Sequence, residues 1–75
     1  MKDNFYHMKR QAAIIVTDTV KYLEAHPSKN ITIAKLAIQF QEQFGFGETI
    51  LRKMLAPWIK ENRITIKNEA LCHPQ

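Results

Sequence analysis

Cysteine, glycine and long apolar runs are the scarce features of this sequence. Cys72 is the single cysteine among 75 residues. It has no partner for an internal disulfide, so no covalent staple holds the fold and a reducing compartment is the expected setting. Only two glycines are present, Gly45 and Gly47, with Phe46 between them. A phosphate-cradling loop needs a third glycine and a strand ahead of it, and the segment has neither. No apolar run approaches the ~20 residues that span a bilayer. The opening Met1-Lys2-Asp3-Asn4-Phe5 lacks the apolar centre of a secretory leader. The expectation is a soluble, cytoplasmic protein with no membrane association.

Acidic residues are the minority charge, 7 against 11 basic ones, for a formal net charge of +4. Lysines and arginines that neutralise phosphates release condensed counterions, so this excess suits a phosphate-bearing partner. It equally suits a protein kept soluble by its net charge. The length allows one domain, 1–75, burying only ~60% of its unfolded surface. Little interior remains for a substrate cavity. The sequence spacing of His7, His26, Cys72 and His73 matches no zinc pattern. No Ser/His/Asp set and no carboxylate pair is suggested either. The reading is a protein without catalytic activity, metal, cofactor or small-molecule ligand.

What is present is helical periodicity. The first helix is expected at about 3–25, with Phe5, Met8, Ala12, Ile15, Thr19 and Leu23 along one seam and Ala13, Val16 and Val20 widening it. Asp3 or Asn4 is a suitable cap. Pro27 ends the helix, because the residue before proline avoids helical backbone. Ile31-Thr32-Ile33 suits a very short strand, and Thr32 stands where the next helix needs a cap. The second helix is expected at about 33–44, on the spacing of Ile33, Leu36, Ala37, Phe40 and Phe44. Gly45 can close it in the left-handed conformation, and Phe46 can drop back onto the core.

A third helix is expected at about 48–62, with Ile50, Leu51, Met54, Leu55, Trp58 and Ile59 on its apolar face. Its periodicity runs through Pro57, which predicts a kink rather than a break. Trp58 continues the apolar stripe and reads as core in preference to a stacking platform. Alternation in residues 63–67 and a turn at Asn68-Glu69 predict a short hairpin over about 63–72, able to pair with Ile31-Thr32.

Two segments carry a resemblance. In YLEAHPSKNITIAKLAIQF a helix ends in Tyr22-Leu23, and Ile-Thr-Ile leads into Lys35-Leu36-Ala37. In GETILRKMLAPWIKENRITI a helix of the form Ile-Leu-Arg-Lys-x-Leu-x-x-Trp-Ile meets a Glu-Asn corner before Arg63-Ile64. With this order of elements, roughly residues 12–72 resemble the winged helix-turn-helix superfamily of DNA-binding type. The chain departs from the pattern at Asn62, where a small residue or glycine is usual, and at Phe46 in the interhelical turn. Its wing lacks a Gly-rich, Arg-rich tip and offers only Arg63 and Lys67.

The resemblance implies a mainly α fold with a small β-hairpin: three helices plus a short two- or three-stranded antiparallel sheet. It implies that the third helix lies in the major groove of double-stranded DNA, presenting Glu48, Thr49, Arg52 and Lys53. Arg52 would suit guanine and Thr49 a base or phosphate. Thr32 and Lys35 open the second helix, where a phosphate is favoured. Lys60, Arg63 and Lys67 would add backbone contacts. The function expected is sequence-specific DNA binding by a small transcriptional regulator. The alternative is a winged-helix adaptor that binds protein within a nucleic-acid-processing assembly, with Arg52 and Lys53 as a solvated face. Finally, Phe5, Tyr6, Met8 and Ala12 form an apolar end of the first helix with no obvious intrachain cover. They are expected to pair two copies into a homodimer whose recognition helices meet half-sites ~34 Å apart.

Overall fold

The computed structural model describes residues 2–74, with side chains from residue 6 onward. The chain runs α1 (Lys2–Ala25), β1 (Asn30–Thr32), α2 (Ile33–Phe44), α3 (Glu48–Lys60), β2 (Thr65–Lys67) and β3 (Ala70–Cys72). Three helices and a three-stranded antiparallel sheet of order β1-β3-β2 give a winged-helix layout. Ile31, Leu71 and Ile66 stand directly opposite one another across the sheet. Residues opposite in register share a face, and this row packs toward the helices.

Each helix boundary has a local cause. Thr32 sits in extended backbone, and its Oγ1 accepts the Lys35 N–H at 3.3 Å, capping α2. Gly45 closes α2 at φ 73°, donating to the Gln41 carbonyl at 2.9 Å. A Cβ there would meet nothing within 4 Å, so the positive φ alone calls for glycine. Phe46 then turns inward and is buried. α3 stops at Lys60, two residues before the expected 62. Asn62 takes φ 62°, and the Asn62 and Arg63 N–H groups reach back to Ile59 and Trp58. That left-handed exit does the work of the small residue usual at this corner. Pro57 lies inside α3, as the unbroken periodicity predicted.

The core lies between the faces of the three helices and the sheet. Ala12, Val16, Val20 and Leu23 of α1 meet Leu36 and Phe40 of α2, Leu51 and Leu55 of α3, and Leu71 of β3. The α1 seam differs from the expected one: Met8 and Ile15 are only partly buried, at its edge, and Thr19 bonds its hydroxyl to the Ile15 carbonyl. The difference corrects the expected dimer patch. Ala12 is 0% exposed and belongs to the intrachain core, and Met8 packs against that core. Tyr6 is exposed at 73%. The side chain of Phe5 lies outside the described residues. Trp58, expected in the core, is half-buried at its margin. The molecule measures 42 × 20 × 18 Å, the long axis reflecting the 24 residues of α1. No described helix is long and apolar enough to cross a membrane.

Candidate nucleic-acid interface

α3 buries Leu51 and Leu55, which fixes its outward stripe. Thr49, Lys53, Ala56 and Lys60, at helical spacing, are exposed along it. Neither lysine has an ion-pair partner among the described residues. Lys35 at the start of α2 and Lys67 at the end of β2 are also exposed, and neither has an ion-pair partner among the described residues.

Arg52 is engaged differently. Its Nε donates to Glu48 at 2.7 Å and its second amino group to Glu69 at 3.1 Å. Hydrogen bonding to Glu48 raises its pKa further. Glu69 sits at the hairpin tip, where Asn68 and Glu69 take φ 51° and 60°. Positive φ at both central residues is what a tight I′ hairpin turn requires, and it is uncommon for glutamate. The strain at Glu69 is offset by two ties. Its carboxylate holds Arg52, and its carbonyl accepts the Ile33 N–H at 2.9 Å. The wing tip is thereby clamped onto the first turns of both α2 and α3. With Thr32 capping Lys35 and Glu69 capping Ile33, two of the amides that open α2 already have partners. That leaves less of the helix start for a phosphate than the sequence suggested.

Arg63 is placed away from this surface. Nε and one amino group donate to the two oxygens of Glu24, at 2.9 and 2.8 Å, and the guanidinium lies 4.7 Å from the centre of the Trp58 ring. Its forked bonding fastens the end of α1 to the root of the wing. Those bonds hold the Glu24 carboxyl below the ordinary carboxylate range. Sequence periodicity could not reveal this pair, because 39 residues separate its members. The structure therefore brings Thr49, Lys53 and Lys60 together on one helix face. Glu48 and Arg52 stand beside them, Thr32 and Lys35 flank at α2, and Arg63 serves another junction.

An open groove of about 490 Å³ lies elsewhere, lined by Ile15, Asp18, Thr19, Tyr22, Ile31 and Gln39. Asp18 is the carboxylate among these lining residues. Among the described residues no three His, Cys, Asp or Glu side chains gather to hold a metal. The chain matches no family model, no curated protein and no solved structure.

Proposed function

We propose that this chain is a winged helix-turn-helix protein that binds double-stranded DNA sequence-specifically, as a small cytoplasmic transcriptional regulator and not as an enzyme. The observation that carries the reading is the exposed stripe of α3, with Lys53 and Lys60 beside Thr49 and without ion-pair partners among the described residues. α3 enters the major groove, Thr49 and Lys53 approach base edges, and Lys60, Lys35 and Lys67 contact phosphates. Arg52 reads guanine by exchanging its carboxylates. Exposed ion pairs are worth a fraction of a bidentate guanine contact, so the exchange is favourable. Glu48 and Glu69 keep Arg52 extended and oriented until DNA arrives. The clamped wing tip leaves the reading to α3.

The test is selection of bound duplexes from a random pool, followed by mobility shift at two salt concentrations. Recovery of a preferred sequence, with affinity falling steeply as salt rises, supports the reading. No binding at low salt would overturn it and assign the same face to a protein partner.

A further inference from the structure

When Arg52 turns to a base, the carboxylate of Glu48 loses its partner. Before contact that carboxylate accepts from Arg52 Nε at 2.7 Å, one turn along α3. Glu48 is the first residue of α3, and Gly47 ahead of it caps the helix without a side chain. Phe46 between the two glycines is buried, so residues 45–47 put no exposed side chain ahead of the helix start. At about 100° per residue, Glu48, Arg52 and Thr49 fall within an arc of ~100° at this end of the helix. The side chains of Glu48 and Arg52 are 50% and 41% exposed, so both can swing outward.

A carboxylate brought against DNA and left without a donor is costly, because water is displaced there and the surrounding phosphates repel it. Glu69 escapes this cost. It stands at the wing tip with its side chain 80% exposed, and it returns to solvent. Glu48 stands at the helix end that faces base edges, so it needs a donor. The major groove supplies two amino donors, cytosine N4 and adenine N6. Adenine N6 adjoins the N7 acceptor, which repels a carboxylate, whereas the cytosine amino group has no acceptor beside it on the same base.

We infer that Glu48 is a second base reader: as Arg52 moves to guanine, the Glu48 carboxylate accepts a hydrogen bond from the amino group of a nearby cytosine. The inference rests on α3 meeting DNA, and it deepens that reading by naming the target, a duplex in which a guanine and a cytosine stand close together. Glu48 and Arg52 are four residues apart, ~6 Å along the helix axis, and base pairs stack ~3.4 Å apart. The two bases therefore lie within about two base-pair steps. The exchange keeps both charged groups partnered, since one intrachain ion pair gives way to two base contacts. A sequence that offers only one of the two bases leaves a charge unsatisfied. The pair thus makes both bases necessary together, a stricter demand than an arginine alone would make.

Selection of duplexes from a random pool by wild type and by Glu48→Gln tests it. Glutamine donates as well as accepts and matches the N6/N7 edge of adenine. Wild type is expected to select a guanine with a cytosine within about two base-pair steps. Glu48→Gln is expected to keep the guanine and to select adenine in place of the cytosine. Mobility shift on the selected duplex and on its cytosine-to-adenine counterpart measures the exchange. Wild type is expected to disfavour the adenine duplex by about tenfold, and the variant to reverse that preference. A reversal of preference is not produced by loss of fold. Glu69→Gln is expected to select the same sequence as wild type. A preferred sequence that Glu48→Gln leaves unchanged, or one without a cytosine near its guanine, overturns the inference and leaves the α3 reading standing. A wild type that selects no sequence overturns that reading, and the inference with it.

Discussion

Arg63 and Arg52 are held by the same chemistry in two different places. Each donates through Nε and one amino group to carboxylate oxygens. Arg63 gives both bonds to one partner, Glu24, and lies over the Trp58 ring. Arg52 divides its bonds between Glu48 and Glu69, which are 50% and 80% exposed. A forked pair on an aromatic face is specific in geometry and partly sheltered from solvent. Pairs divided between two more exposed carboxylates are weak and exchangeable. The two arginines teach that bonding partners alone do not separate a fastening from a reading group. The arginines themselves are nearly equally exposed, at 39% and 41%, so the geometry and the exposure of their partners make the difference, and on the proposed reading Arg63 serves the fold and Arg52 the ligand.

The comparison breaks first if the platform beneath both residues is wrong. Leu36→Ala removes a buried contact and is expected to cost ~2–5 kcal/mol, a large share of the ~5–15 kcal/mol typical of a domain. Denaturant unfolding measures it, and an unchanged midpoint contradicts the packing of α2.

The two arginines are then separated directly. Arg63→Ala is expected to lower the melting temperature clearly and to leave DNA affinity unchanged while the protein is folded. Arg52→Ala is expected to do the reverse: little change in melting, and a loss of about ten- to a hundredfold on the preferred duplex with little on random duplex. Exchanged outcomes would dissolve the distinction.

Acid sharpens the same contrast. Hydrogen bonds from Arg63 depress the folded-state pKa of Glu24 below its unfolded value. The stabilisation is therefore fully present above the unfolded carboxylate pKa, and it is lost as pH falls through the lower folded value. Thermal melts between pH 6 and about pH 2.5 are expected to fall more steeply for wild type than for Glu24→Gln. Parallel curves would deny Glu24 its role. The smallest effect is that of Lys60→Ala. Loss of one phosphate contact is expected to reduce the slope of log affinity against log salt by about 0.9, equally for preferred and random duplexes.

The elements were legible in the sequence because their causes are local. The apolar spacing of Ile33, Leu36 and Phe40, the glycine at 45 and the Asn68-Glu69 turn each act within a few residues. Long-range choices were not legible. That Ala12 and Val16 face the core while Ile14 faces out depends on how α2 and α3 dock on α1, since the apolar band of that helix is wider than the contact it receives. Trp58 looked like core from its periodicity, yet it lies at the margin under an arginine from the next element. Of the candidate interface, the lysines and Thr49 were visible as a polar stripe. The occupation of Arg52 was not, because one of its partners is 17 residues away at the wing tip.

The central claim is that the α3 face meets DNA. Amide chemical shifts of the labelled protein, followed as a selected duplex is added, test it most directly. The account predicts that the largest changes fall at Thr32 to Lys35, Glu48 to Lys53, Lys60 and Lys67, with the Arg63 amide little moved. Changes centred on α1 from Arg10 to Tyr22, with α3 silent, would contradict it.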